Sequence, residues 1–407
     1  MKILLFTADS RCFHYLAPIV TELLKRDHQY YFLTTAMTQI QNPVTNIDNY
    51  RGFKNFEPNQ EDFIETESLG VLPFKPDFVI LTRENWDPEQ TIIRELKERF
   101  DCKIGLVEVN THLINVIETK MEMISRNKYP QNMIDVFFDQ SKIAIQSRIE
   151  SGWKDDNRSF SVGNPILDQI NNSTIQEQIK QKYNIDDNKK QIIFYSLINM
   201  SRNKSLQIIK NLSEKAGDDY QILYKPYPGE PYSEKYIDIF QPEFFLSNVI
   251  PIIDHIDLLS LQVICDIHIG AISSVMSVPL YLKKKIININ NICRYLDDGN
   301  NLDEYKNENE EGYSDGSAKF WMRVHELETY EDFVELVNVD DIEKFKIRNK
   351  NFNDVIKETT IDYDEDLLCL KEDNKDNSKL LKMFDEFCDG KASERIINML
   401  EVKVNEK

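Results

Sequence analysis

The residues able to do chemistry gather in five short segments, and four of them follow an apolar run of strand length. Tyr224–Glu230 reads YKPYPGE. Lys225 offers an ammonium to a phosphate, with Pro226 and Pro228 stiffening the loop around it and Tyr227 between them. Glu230 can accept hydrogen bonds from ribose hydroxyls or a base edge. Gly270–Val275 reads GAISSV. N–H groups at a helix start, together with the Ser273 and Ser274 hydroxyls, suit an anion. A surface lysine in a stiff turn and a simple N-cap at Ser274 are the plainer readings. Ligands of open α/β sheets sit at the carboxyl ends of strands, so the two segments are expected to converge on one nucleotide phosphate.

The remaining segments point to the other reactant. Ala8–Tyr15 reads ADSRCFHY and ends the first strand-like run. Asp9 or His14 can act as general base for an acceptor hydroxyl, and the sequence does not choose between them. Arg11 can neutralise a leaving phosphate. The same residues also read as a helix cap and an exposed His14. Glu108–His112 reads EVNTH. Glu108 and His112 can line the acceptor side, or serve the core and a cap. Val162–Asp168 reads VGNPILD, where Gly163 tolerates an unusual backbone angle and Pro165 opens a helix. It reads as a hinge or as a plain connector. His268 lies in an apolar run and is expected to be packed and hydrogen-bonded, and His255 either covers the base or is structural.

Strands alternating with helices position these segments. The first series predicts strands over Lys2–Thr7, Gln29–Thr34, Asp77–Leu81 and Lys103–Val109. Helices are predicted over Phe13–Lys25, with Leu16, Ile19, Val20, Leu23 and Leu24 on one face, and over Thr91–Phe100 and Leu113–Ser125. The pattern restarts near residues 150–165. Strands follow over Gln191–Leu197, Gln221–Tyr224, Asn248–Ile253, Val263–Ile269 and Lys285–Ile289, with helices over Ser205–Lys215 and Ser274–Leu282. Such alternation implies parallel βαβ units. Asn291–Ser317 reads as a polar loop, Tyr330–Val337 as a short helix, and 340–380 as weakly patterned. Ser393–Leu400 reads as a closing helix with Ser393 as its N-cap. The domains expected are 1–160 on the acceptor side, 161–380 on the nucleotide side, and 381–407 as a returning helix.

Bulk properties narrow the class. The chain has 407 residues, a length that suits two cores. Its net charge of -20 disfavours nucleic acid and anionic membranes as partners. Six cysteines without CxxC pairs give no metal site and fit reduced thiols, so a cytoplasmic protein without a cofactor is expected. No apolar run approaches the roughly 18–20 residues of a membrane span. P-loop, G-x-G-x-x-G and H-E-x-x-H motifs are missing from the sequence.

The order of VGNPILD, KPYPGE and GAISSVMSVPLYLKKKIININ resembles the GT-B superfamily. The KPYP segment is similar to the nucleotide-binding loop of bacterial glycerophosphotransferases, with Tyr227 in place of the usual histidine. The ending DGKASERIINML resembles the tail of CDP-glycerol glycerophosphotransferase-like and surface-polysaccharide enzymes. The resemblance implies two Rossmann-like domains facing across a cleft, with a C-terminal helix crossing back to the first. It implies a metal-independent transferase moving a sugar or polyol phosphate from a nucleotide-activated donor to a glycan or lipid-linked acceptor. A UDP-GlcNAc 2-epimerase-like enzyme and a non-catalytic nucleotide-sugar-binding protein are the alternatives.

Overall fold

The computed structural model describes residues 1–7, 13–34, 63–65, 74–82, 87–108, 133–150, 157–170, 173–196, 202–226, 247–252, 258–271, 274–289, 351 and 354–405. Two sheets carry the architecture. The first has seven strands: β1 (Lys2–Phe6), β2 (Gln29–Thr34), β3 (Phe63–Glu65), β4 (Phe78–Leu81), β5 (Lys103–Val107), β6 (Val136–Asp139) and β7 (Ser159–Ser161). Their spatial order is β3-β2-β1-β4-β5-β6-β7. The second has six: β8 (Lys190–Tyr195), β9 (Tyr220–Lys225), β10 (Val249–Pro251), β11 (Ile267–Gly270), β12 (Lys285–Asn288) and β13 (Ile361–Asp362), ordered β10-β9-β8-β11-β12-β13. Every pairing is parallel. Both sheets therefore run outward from a first strand, return to its other side, and continue.

Parallel strands covered on both faces need unbroken apolar runs, not alternation. Ile3, Leu4, Leu5 and Phe6 are all fully buried. Ile3 and Leu5 meet helix α1 (Phe13–Lys25) through Leu16, Ile19, Val20 and Leu23. Leu4 and Phe6 meet α2 (Asp87–Phe100) through Ile92, Ile93 and Leu96 on the opposite face. Leu24 falls off the α1 stripe and is 54% exposed, contrary to expectation. α3 (Lys142–Glu150) follows β6. In the second sheet, α4 (Ser173–Tyr183) and α6 (Leu258–Ile264) join the face carrying Ile193 and Leu223. α5 (Arg202–Ala216) covers Ile192, Phe194, Ile222 and Tyr224 through Ile208, Ile209 and Leu212. One apolar cluster includes side chains of both sheets and of the last helix.

Three local expectations are corrected. The run VICDIHI is not one strand, because Val263 and Ile264 end α6 and the strand begins at Ile267. Asp266 divides them, and its carboxylate accepts the Gln191 N–H at 2.9 Å, pinning the start of β8. Helix and buried strand cannot be told apart by periodicity in so short a run. Ser274–Leu282 is a 3₁₀ turn over Ser274–Met276 followed by the short α7 (Ser277–Tyr281). Residues 340–380, read as weakly patterned, include β13 and the start of α8 (Ser378–Phe384). The expected helices at 113–125 and 330–337 and the loop at 291–317 lie outside the described residues.

A further correction fixes how the chain closes. The last helix, α9, spans Ala392–Asn405, so Ser393 lies inside it and does not cap it. The cap comes from Asp168, far away in sequence. Its Oδ1 accepts the Ala392 N–H at 3.1 Å and its Oδ2 the Ser393 N–H at 2.7 Å, meeting donors that a helix leaves orphaned. α9 then lies along α1. Arg26 reaches Asn398 at 2.7 Å and Glu401 at 3.1 Å, and His28 meets Glu401 at 2.8 Å. Lys103, at the start of β5, donates to the Lys403 carbonyl. The returning helix is thus strapped to the first sheet. Among the described residues no helix is long and apolar enough to cross a membrane.

β7 is the last strand of the first sheet, and we propose that the chain divides there, between residues 160 and 161, with 381–407 returning across the division. The next residues carry the clasp. Gly163 has a φ of +91°, and Asn164 caps the 3₁₀ helix Pro165–Gln169 by accepting the Ile166 N–H at 3.2 Å. A Cβ on Gly163 would stand 2.8 Å from Oδ1 of Asp385. Gly163→Ala is therefore expected to lower stability in urea by about 1–3 kcal/mol through the left-handed angle and the displaced carboxylate. Val402→Ala, on the exposed side of α9, is expected to stay within about 0.5 kcal/mol. Equal effects of the two would contradict this account of the clasp.

Candidate functional site

Strand order reverses direction between β8 and β11 in the second sheet and between β1 and β4 in the first. At such a switch point the loops leave the sheet edge in opposite directions and open a crevice beyond the carboxyl ends of the strands. In the second sheet, Tyr195 is level with Lys225 and Phe194 with Ile269. Gly270 and Lys225 therefore end at the same height, on either side of β8. Two strand spacings separate them, roughly 10 Å. The topology thus brings the two expected donor segments to one edge.

The side chains divide more finely. Lys225 Nζ donates to the Ile252 carbonyl at 3.2 Å. Ile252 follows β10, so that bond turns the ammonium away from β11. Ser274 opens the 3₁₀ turn as expected of a residue just past β11. With a five-residue helix behind it, the turn has little macrodipole to offer. Tyr227, Glu230 and Ser273 lie outside the described residues.

Beneath that turn runs a buried polar chain. Gln262 Nε2 donates to the Val275 carbonyl at 2.6 Å and to Tyr195 Oη at 3.1 Å. Tyr195 Oη lies 2.9 Å from His268 Nδ1. A carbonyl can only accept, so the amide nitrogen of Gln262 must face Val275. Both amide hydrogens are then spent, and the tyrosine hydroxyl is left to donate to Nδ1. This pairing puts the hydrogen of a neutral His268 on Nε2, which meets no hydrogen-bond partner among the described residues. Burial pushes its pKa down to about 3, and burial also raises those of Tyr195 and Cys265 beside it. All three residues of the chain are almost fully buried. The expectation that His268 is packed and hydrogen-bonded holds. Gly270 completes the floor, since a Cβ there would stand 2.8 Å from Cε of Met276 and 3.2 Å from the Tyr195 ring.

The first sheet presents a different set. Thr82 Oγ1 donates to Thr7 Oγ1 at 2.7 Å across the switch point, fully inside the fold. Glu108 follows β5 as expected and is 3% exposed. Its N–H donates to the Phe138 carbonyl at 3.0 Å, and its carbonyl accepts from Gln140 at 3.4 Å. Val107 is level with Phe138, so Glu108 stands beside Asp139, itself fully buried. Paired carboxyl groups at a sheet edge are the residue types that acid–base chemistry uses. Asp139 escaped the sequence reading because VFFDQ scans as an apolar stretch. His14 is the second residue of α1, half-buried, with its ring 4.6 Å from that of Tyr15. Asp9, Arg11 and His112 lie outside the described residues. Among the described residues no group of three metal-ligating side chains occurs.

The linker region carries a third polar group. Burial raises the pKa of Asp168 and of Asp385, although each accepts backbone N–H bonds that favour its charged form. Asp385 Oδ1 accepts from Phe387 and Cys388, each at 3.0 Å. These carboxylates hold the clasp and lie away from both switch points in the chain.

No family model matches the chain, and no curated protein sequence matches it. Solved structures do. The wall teichoic acid polymerase TagF, in a variant soaked with CDPG, superposes with a TM-score of 0.58 at 16% identity, covering 100% of this chain and 89% of that one. The UDP-GlcNAc 2-epimerase from Methanocaldococcus jannaschii gives 0.54 at 15% identity, covering 99% and 100%. That from Neisseria meningitidis bound to UDP-GlcNAc gives 0.52 at 14% identity, covering 88% and 100%. These proteins share the GT-B fold, and this chain has it too.

The buried chain sets a pH dependence. Between pH about 6.5 and about 3 the unfolded His268 takes up a proton that the folded ring refuses. Stability is thus lost as pH falls through that window. His268→Gln is expected to flatten the fall, read as the urea midpoint of variant and parent at each pH. Parallel profiles would contradict a buried neutral His268.

Proposed function

We propose that the chain is a transferase that moves a glycosyl or polyol-phosphate group from a nucleotide-activated donor to an acceptor hydroxyl in surface-glycan synthesis. The observation that carries this reading is the edge of the second sheet, where Lys225 and the end of β11, with the 274–276 turn just past it, flank the end of β8 at a switch point. The donor phosphates lie against the N–H groups of that turn with Ser273 and Ser274. Lys225 leaves the Ile252 carbonyl to meet the phosphate charge, and Tyr227 and Glu230 reach the nucleoside. Charge on the leaving phosphate is met by peptide dipoles and the ammonium.

The acceptor lies on the first sheet. Arg11 and His112 line it. The base that takes the hydroxyl proton is Asp9 or His14, and Glu108 with Asp139 extends the acidic edge beside them. Bringing the two sheet edges together aligns the reactants and excludes water. The likeness to TagF, whose solved form was soaked with CDPG, supports a nucleotide-activated polyol as donor.

A nucleotide-sugar epimerase is the second reading. It is favoured by the end-to-end match to epimerases, which spans 99% of this chain and 100% of the Methanocaldococcus jannaschii protein. Incubation with CDP-glycerol, UDP-GlcNAc and related donors separates the two. A transferase releases free nucleotide only when an acceptor is present, whereas an epimerase interconverts sugars without one. Lys225→Ala is expected to weaken CDP or UDP binding about 10- to 100-fold in calorimetry, the worth of a hydrogen bond to a charged group, with the melting temperature almost unchanged. An unaltered affinity would remove the donor-site assignment.

A further inference from the structure

We infer that Gln262 is a positioning residue for the donor site, holding the 274–276 turn in register through its bond to the Val275 carbonyl. The inference rests on the donor-site reading above. Gln262 touches no reacting group and acts through the peptide it grips. Its own geometry is fixed from below, because Tyr195 Oη accepts its second hydrogen and His268 Nδ1 takes the hydrogen of Tyr195. The chain runs from the turn to α6, then to β8, and ends at β11. All three elements around the switch point are thereby tied to one peptide carbonyl.

Burying such groups is costly, and Gln262 and Tyr195 offset it by spending every hydrogen they donate within the chain. Gln262 is 1% exposed and Tyr195 4%, and their neighbours include Leu261, Cys265, Met276 and Val278. An aliphatic residue of similar volume at 262 would fill the space without any polar group to satisfy. A glutamine there instead holds a single carbonyl at 2.6 Å, in a turn of three residues that has no long helix to fix it. With Val275 held inward and Met276 seated against Gly270, the turn presents its peptides to the sheet edge in one arrangement. An anion bound by peptide N–H groups depends on such preorganisation.

The test compares Gln262→Leu, which cannot donate, with Gln262→Glu, which donates to Val275 only when protonated. CDP and UDP are the probes, titrated into the full chain by calorimetry. Gln262→Leu is expected to bind about 10-fold more weakly at every pH. Gln262→Glu is expected to match it near pH 8 and to approach the parent near pH 6, since burial raises a carboxyl pKa into this range. The ratio of variant to parent affinity at each pH removes titration of the nucleotide itself. A merely structural glutamine would not give a ratio that recovers with acid. Parent-like binding by both variants, or a loss without that recovery, would overturn the inference. If the parent binds neither nucleotide, the donor-site reading fails on its own. Amide hydrogen exchange over residues 274–276 then decides the positioning role. Exchange about 10-fold faster in Gln262→Leu supports it, and unchanged exchange overturns it.

Discussion

Parallel pairing is the constraint on which the rest of the molecule depends. A parallel neighbour cannot be reached by a tight turn, so each strand hands the chain to a crossover that returns it to the starting edge. Every loop that leaves a strand is thereby collected at one rim of its sheet. Lys225, Gly270 and Ser196 share one rim, and Thr7, Thr82, Glu108 and Asp139 the other. The order of strands adds the second half of the constraint. With β8 and β11 paired and their loops departing to opposite sides, the crevice forms where no single segment would make one.

Two such sheets need a fixed relation if their rims are to cooperate. The clasp supplies it with few groups. A carboxylate in the linker caps the helix that returns to α1, and a second buried carboxylate packs where Gly163 has no side chain. Both aspartates lie within a few residues of the change from one sheet to the other or of the returning helix. A change in the angle at 163–168 therefore moves the start of α9 as well, which couples the linker to the strap along α1. The acidic surface, net -20, sets the long-range field against anionic ligands. In the proposed donor site, peptide N–H groups attract the phosphates without any net charge.

Much of the fold is legible in the sequence. Runs such as ILLF in β1, FVIL in β4 and IIFY in β8 are unbroken stretches of apolar or aromatic residues, which is what burial on both faces of a parallel strand demands. Gly163 and Pro165 announce the linker, since each carries a backbone preference that the structure uses. The misreadings share a physical cause. Ser393 reads as its own cap because local rules cannot see Asp168, whose carboxylate arrives through tertiary structure. Val263 and Ile264 read as strand because five apolar positions in a run of seven residues fit either period. Gln262 and Tyr195 carried no signal at all, as each is an ordinary residue in an ordinary run. Their meaning lies in the bonds to Val275 and His268, which the sequence does not encode locally. Asp139 was hidden in the same way, at the end of an apolar strand.

The most direct measurement is the position of a bound nucleotide, from crystals of the full chain grown with saturating CDP or UDP. The account expects the phosphates within hydrogen-bond distance of the backbone N–H groups of the 271–276 turn, with Lys225 released from Ile252 to meet them. A nucleotide seated on the rim of the first sheet, or phosphates held elsewhere with the turn and Lys225 untouched, would contradict it.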